Sequence, residues 1–300
     1  MKIAIVEQPG FIYRRQPICS FIKKNLRHSE IFCDNLQGLK DLTQYDLMCF
    51  ITYQPFYKIS KKDRQYLPPH LILEGGFFRS SVSKKHRLYS LAWGGINGLG
   101  RYYLDQYDNN RMPLIQKMSG IDIKFATGSS KYILILGQNP VDILLLDRGI
   151  DYVKWLHRTC EELKDTTNKP IYYRHSPFTR QHKRCKVPSY VKELGSDERL
   201  ESHIANASAT IAFSSSAGIY SLAQGVPHVS CNEASVVYDV TTHTLEDIEN
   251  KPIVPIEIVQ DKINQLSYQC WTLKEIADGG PSYLITNGLS PELARARKPL

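Results

Sequence analysis

Short apolar segments alternate with amphipathic ones in two separate runs along this chain, and that double alternation limits the fold more than any other feature. A strand–helix–strand rhythm is satisfied by a parallel sheet with helices on its faces. In the first run, Lys2–Val6 reads as a buried strand closed by the turn Gln8-Pro9-Gly10. Arg14–Arg27 reads as a helix, with Ile18, Phe21, Ile22 and Leu26 at helical spacing. Ile31–Cys33, Asp46–Thr52 and Leu71–Glu74 read as strands, and a helix is expected over Leu36–Leu42. The second run starts at the strand Tyr132–Leu136 and continues through the amphipathic helix Asp151–Lys164 and the strand Pro170–Arg174. The helix Leu200–Ala205, the strand Ala209–Phe213, the helix Ser216–Gln224 and the strand His228–Ser230 complete it. Between the runs, Gly75 to about Thr127 is rich in Gly, Ser, Tyr and Asn, and long irregular stretches of this kind tend to be functional. A junction near its end divides the 300 residues into two Rossmann-like, doubly wound α/β domains, 1–125 and 126–300.

Hydrophobic residues at 42% supply a core and charged residues at 23% a solvated surface, which excludes a disordered chain. No stretch of 18 apolar residues occurs, so no transmembrane helix is expected. Met1–Glu7 passes too quickly into polar residues for a signal peptide, and a cytoplasmic protein is expected. The seven cysteines show no C-x-x-C or Cys/His spacing, which argues against a structural zinc site and for reduced, partly buried thiols. The net charge of +8 suits either simple solubility or attraction to a polyanion. Arg14-Arg15, Lys23-Lys24, Lys61-Lys62 and Lys84–Arg87 concentrate basic charge in the first third of the chain.

Three loops stand where strands end. In Ala209–Ile219 an apolar strand runs into Ser214, Ser215, Ser216, Ala217 and Gly218 and then a helix. Free backbone N–H groups and hydroxyls at such a helix start suit an anion, although an ordinary serine cap reads the same way. Tyr172-Tyr173-Arg174-His175-Ser176-Pro177 sets a planar cation and an imidazole at the carboxyl end of a buried strand, where open α/β sheets bind ligands. Gly137 and Gln138 follow the strand Tyr132–Leu136, the glycine allowing close backbone approach and the amide suiting sugar or base hydroxyls.

The order strand–Gly-Gln, strand–Arg-His-x-Pro, strand–Ser-Ser-x-x-Gly and Gly-Val-Pro resembles the C-terminal domain of GT-B glycosyltransferases. It is nearest to the capsule-polysaccharide type and to glycosyltransferases of tailed bacteriophages. The stretches Leu91–Gly98 and Trp271–Ile276 share the resemblance, which covers about two-thirds of the chain. It implies two Rossmann-like domains facing a cleft. It also implies a nucleotide-sugar, such as a UDP-sugar, held at Gly137, Gln138, Arg174, His175 and Ser214–Gly218. Two departures stand out. His175-Ser176-Pro177 replaces the family's Pro-His-Pro, and Tyr220-Ser221-Leu222 occupies the place of the acidic residue that grips the ribose. Gln224, Asn232 and Asp239 are alternative ribose contacts.

No Asp-x-Asp pair is present to hold a metal, so transfer is expected without metal or other cofactor, with helix dipoles and cations stabilising the leaving group. An inverting enzyme needs a base on the acceptor side. Glu74 is the leading candidate beside Arg174 as catalytic residues, with His70 and Asp46 as alternatives. For the acceptor, the basic N-terminal residues Arg14, Arg15, Lys84, Lys85 and Arg87 point to duplex DNA, with Phe77 and Phe78 to stack on a base. The resemblance adds Trp93 and Asn97 and implies a hydroxymethylated pyrimidine in phage DNA. A surface polysaccharide or lipid-linked saccharide is the alternative, and a non-catalytic nucleotide- or DNA-binding protein a third. Stable membrane insertion is not expected.

Overall fold

A computed structural model describes residues 1–39, 41–78, 87–125, 131–177, 179–180, 183–195 and 198–296. The chain forms two compact units, one of residues 1–120 with 264–300 and one of residues 121–263.

In the first unit the elements are β1 (Lys2–Glu7), α1 (Arg15–Asn25), β2 (Glu30–Asn35), β3 (Leu47–Phe50), α2 (Tyr53–Lys58), α3 (Lys61–Arg64), β4 (His70–Gly75), β5 (Leu88–Trp93) and α4 (Met112–Ser119). The second unit contributes β6 (Tyr132–Leu136), α5 (Ile143–Asp147), α6 (Tyr152–Thr166), β7 (Ile171–Arg174), β8 (Lys192–Leu194), α7 (Leu200–Ile204), β9 (Ala207–Ala212), α8 (Gly218–Ala223) and β10 (His228–Ser230). The division falls inside α9 (Ile256–Ser267). The chain then adds β11 (Cys270–Thr272), α10 (Leu273–Ala277) and α11 (Tyr283–Ala296) to the first unit.

The first sheet has the order β2-β1-β3-β4-β5-β11. β1 to β4 are parallel, but β5 runs antiparallel to β4 and β11 antiparallel to β5. This sheet is therefore mixed, where strand–helix alternation alone predicted a parallel one. The last part of the chain also differs from the expected single 126–300 body. Apolar burial explains it. Trp271, Ile276, Leu284 and Ile285 share one core with Ile3, Ile5, Phe21, Leu73 and Trp93. Where a helix was expected over Leu36–Leu42, the described residues form none at its start, because the Asn35 side chain accepts from the N–H groups of Gln37 and Gly38 and closes a turn.

The second sheet is wholly parallel, with the order β10-β9-β6-β7-β8. Consecutive crossovers build outward from β6 in one direction through β7 and β8, and in the other through β9 and β10. The order reverses between β6 and β9, and this doubly wound arrangement places a topological switch point there. Ile133, Ile135, Leu156, Leu163, Ile211 and Val229 fill the core beneath it.

Candidate active site

In a parallel sheet every strand ends on the same edge, so the loops after β6, β7 and β9 of the second unit are neighbours by construction. Gln138 follows β6 and Ser214 follows β9, directly across the switch point. The Gln138 Oε1 accepts from the Ser214 backbone N–H (3.3 Å) and from its hydroxyl (3.1 Å). This leaves the Gln138 NH₂ group and the Ser216 hydroxyl without a partner among the described residues, both half-buried. Ser215 is used locally, its Oγ accepting from the Ala217 N–H (3.3 Å).

Gly137 and Gly218 are needed by packing more than by a ligand. A methyl group on Gly137 would lie 2.6 Å from the Arg174 carbonyl oxygen and 2.7 Å from the Tyr173 hydroxyl. One on Gly218 would lie 2.4 Å from the His228 Nε2. That imidazole is buried under the start of α8, its Nδ1 hydrogen-bonded to Thr210 (2.8 Å), and burial drives its pKa down to about 3. All six residues of α8 are buried. Tyr220 and Ser221 thus face the core, so this turn offers no group to a ribose. The helix is also shorter than the expected Ser216–Gln224, and its dipole is correspondingly weak. Of the alternative ribose contacts, Asp239 pairs with Lys262 (2.8 Å) and Asn232 accepts from the Ala234 N–H (3.0 Å).

The loop after β7 differs most from expectation. Arg174 does not hold its guanidinium open at the strand end. It is 4% exposed, with Nε donating to His203 Nδ1 (3.1 Å) and Nη2 to the Glu198 carbonyl (2.8 Å). His203 in turn bonds Glu198 Oε2 through Nε2 (2.7 Å). Arg174 thus ties β7 to α7 and the segment before it. His175 is also buried, its Nε2 2.6 Å from Glu193 Oε2 and its ring edge-on to Tyr173.

In the first unit Glu74 does lie at the carboxyl end of β4 and is half-buried. Its Oε2 accepts from the Tyr53 N–H (3.1 Å) and its Oε1 from the Gly75 N–H (2.9 Å), so it caps the start of α2. His70 starts the same strand, and burial lowers its pKa to about 4. Asp46 accepts from the Lys2 N–H (2.8 Å), at the opposite edge of the sheet.

Several residues assigned to an acceptor by sequence lie elsewhere. Arg14 is 2% exposed, bonded to the Ile51 carbonyl (3.1 Å) and stacked on Phe11 and Tyr89. Arg15, one residue on, is exposed and paired with Glu7 (2.8 Å). Trp93 is wholly buried, its indole N–H donating to the Leu284 carbonyl (2.9 Å). Phe77 and Phe78 are likewise buried. These aromatic side chains fill a core and have no free face for a base. Arg87 is exposed near Gly75, and Asn97 is half-buried with a left-handed backbone (φ 53°). Lys84 and Lys85 lie outside the described residues. A cavity of about 360 Å³ opens in the first unit between Gln106, Trp271, Tyr283 and Asn287, a site the sequence did not indicate. Among the described residues no three His, Cys, Asp or Glu side chains gather as a metal site, and no helix is long and apolar enough to cross a membrane.

No family model matches the chain, and no curated protein is similar to it. Two solved structures from Thermosulfurimonas dismutans are similar. The KpsC beta Kdo 2,4 transferase shares 13% identity over 86% of this chain and 88% of that one, with a TM-score of 0.53. The KpsC beta Kdo 2,7 transferase shares 16% over 88% and 90%, with a TM-score of 0.52. At such identities the likeness defines the fold: α/β, built from two Rossmann-like units of the GT-B type.

Proposed function

We propose that this protein is a glycosyltransferase that moves a sugar from a nucleotide-sugar to an acceptor hydroxyl. The carrying observation is the switch point of the second unit, where Gln138 is locked to Ser214 while its NH₂ group and the Ser216 hydroxyl remain available. The donor's phosphates lie against these groups and the Ser214–Gly218 backbone. Preorganised donors there stabilise the charge that develops on the leaving phosphate as the glycosidic bond breaks, without need of a metal. Arg174 and His175 act as positioning residues, holding the loop after β7 against Glu198, His203 and Glu193. In the first unit Glu74, anchored by two backbone N–H groups, accepts the proton of the attacking hydroxyl.

The acceptor is a saccharide hydroxyl. Two observations support it over a hydroxymethylated base in DNA. The similar structures are Kdo transferases. Of the described residues assigned to DNA, Arg14, Trp93, Phe77 and Phe78 are buried and Arg15 is salt-bridged, which leaves Arg87 and Asn97.

The test pairs UDP-, GDP-, ADP- and CMP-sugars with saccharide acceptors and with hydroxymethylated duplex DNA, read by mass spectrometry of both products. One nucleotide class, released with sugar appearing on a saccharide, is the expected result. Sugar appearing on the DNA base would overturn the acceptor assignment, and no release from any pair would overturn the activity.

A further inference from the structure

The seven cysteines are all free, but they are not alike. Cys49, Cys160, Cys185 and Cys270 are buried and Cys231 is half-buried. Burial pushes the thiols of Cys160, Cys231 and Cys270 up to about 12, and those of Cys49 and Cys185 upward as well. Such thiols are inert at neutral pH.

Cys19 and Cys33 differ in every respect that matters for reactivity. Cys19 lies on α1 and Cys33 on β2, the edge strand of the first sheet, and their sulfur atoms are 3.8 Å apart. Cys33 is exposed and Cys19 half-buried, so a reagent reaches the pair from solvent. The placement is dictated by the fold. Cys33 is in register with Ile5, and α1 packs Ile18, Phe21 and Ile22 into the core that Ile5 and Ile31 line. Cys19 sits among the same helix residues at its margin. Lys23 and Arg15 flank Cys19 one helical turn to either side, while the nearby Glu7 is neutralised by Arg15 (2.8 Å). The hydrogen bond from Cys33, with the charges of Lys23 and Arg15, lowers the Cys19 thiol to about 7 against the opposing effect of burial. The same bond raises Cys33. An electropositive, partly exposed thiol with a second thiol in contact is the environment in which cysteines react.

We propose that Cys19 and Cys33 are a reactive dithiol that closes to an intramolecular disulfide by exchange with a small disulfide oxidant, Cys19 attacking and Cys33 resolving. The Cys19 thiolate attacks one sulfur of the oxidant, whose S–S bond breaks and releases one thiolate. The Cys33 thiol then loses its proton to solvent, and its sulfur attacks Cys19 in the mixed disulfide and expels the second thiolate. Two protein thiols are oxidised and one disulfide is reduced to two thiols. The product staples α1 to the edge strand β2, and a dithiol reductant reverses it.

The experiment treats the reduced, folded protein with glutathione disulfide at pH 7, followed by intact mass and peptide mapping. The expected product has lost two hydrogens, carries no glutathione, and links the Cys19 and Cys33 peptides. The other five thiols remain titratable after unfolding. In Cys33→Ser the reaction stops at one glutathione adduct on Cys19. In Cys19→Ser the fast phase disappears, Cys33 reacting roughly tenfold or more slowly. A stable glutathione adduct on wild-type protein, a link between any other pair, or seven unmodified thiols would overturn the proposal. The wild-type peptide map decides this even if a variant folds poorly.

Discussion

Arg111→Ala is expected to destabilise the first unit by about 3–5 kcal/mol, the cost of leaving buried partners of a charge unpaired. Arg111 is 8% exposed. Its Nε donates to the Ser267 carbonyl (2.7 Å) and its Nη1 to Glu275 (2.8 Å), while the guanidinium lies 3.7 Å over the Trp271 ring. The Cys270 carbonyl takes two further bonds. One side chain thus fixes β11 and the start of α10, the segment that carries the end of the chain back to the first unit. Removing it takes the Arg111 bonds from two carbonyls at once and leaves the Glu275 carboxylate with Thr272 alone. Thermal unfolding should show a loss on the order of 10 °C. Arg111→Lys should recover little, since a single ammonium cannot reach all of these acceptors. The wild type should also weaken in acid. Burial tends to raise the Glu275 carboxyl, but hydrogen bonds from Arg111 and Thr272 outweigh it and hold it below the ordinary value of 4.5. A depressed carboxyl contributes stability that is present above the unfolded value and lost as pH falls through the folded one. Glu292, bonded to Arg101 and Tyr103, shifts the same way and adds to the effect. Unfolding midpoints measured from pH 6 downward should fall below about pH 4.5. The slope should be shallower in Arg111→Ala. An unchanged melting temperature in the variant would refute the clamp.

Gly137→Ala should cost on the order of 3 kcal/mol and abolish nucleotide binding in one step. The added methyl would sit 2.6 Å from the Arg174 carbonyl oxygen, the same atom that accepts from the Gly137 N–H at 2.8 Å. Neither neighbour can yield easily. One is strand backbone, and the other is Tyr173, which is 1% exposed and fixed in the core. Relief requires β6 and β7 to part at the edge where Gln138 stands. Chemical denaturation and a nucleotide titration on the same sample measure both effects. A variant with normal stability and normal binding would show that the close contact is unimportant.

Four of the five parallel strands of the second unit, β6, β7, β9 and β10, were legible as largely apolar, buried runs, whereas β8, the exposed Lys-Glu-Leu edge strand, carried no such signal. Tyr132–Leu136 was expected over those residues and is observed there. β5 was hidden. Its run contains Tyr89 and Ser90, is followed by two glycines, and is ordered by antiparallel pairing with β4. β11 is three residues whose partner lies in β5, far back along the chain, a relation that periodicity cannot carry. At the site, the loops were readable as strand ends, but the directions of side chains were not. Arg174 turns toward Glu198 and His203, 24 and 29 residues away, and no local pattern announces them. Arg14 and Arg15 look identical in sequence, yet the first lies among aromatic rings and the second in solvent. Cys19 and Cys33 belong to different elements and meet only because α1 packs on the sheet face that Cys33 shares with Ile5 and Ile31.

Equilibrium binding of CMP and of the uridine, guanosine and adenosine diphosphates, to the wild type and to Gln138→Ala, tests the central claim most directly. Gln138 organises Ser214 and presents its own NH₂ group, so its loss should weaken the bound nucleotide about tenfold, or roughly 1.4 kcal/mol. One nucleotide that binds the wild type and is weakened in the variant is the predicted result. No binding by any of the four, or equal binding to both proteins, would contradict a donor site at the switch point between β6 and β9.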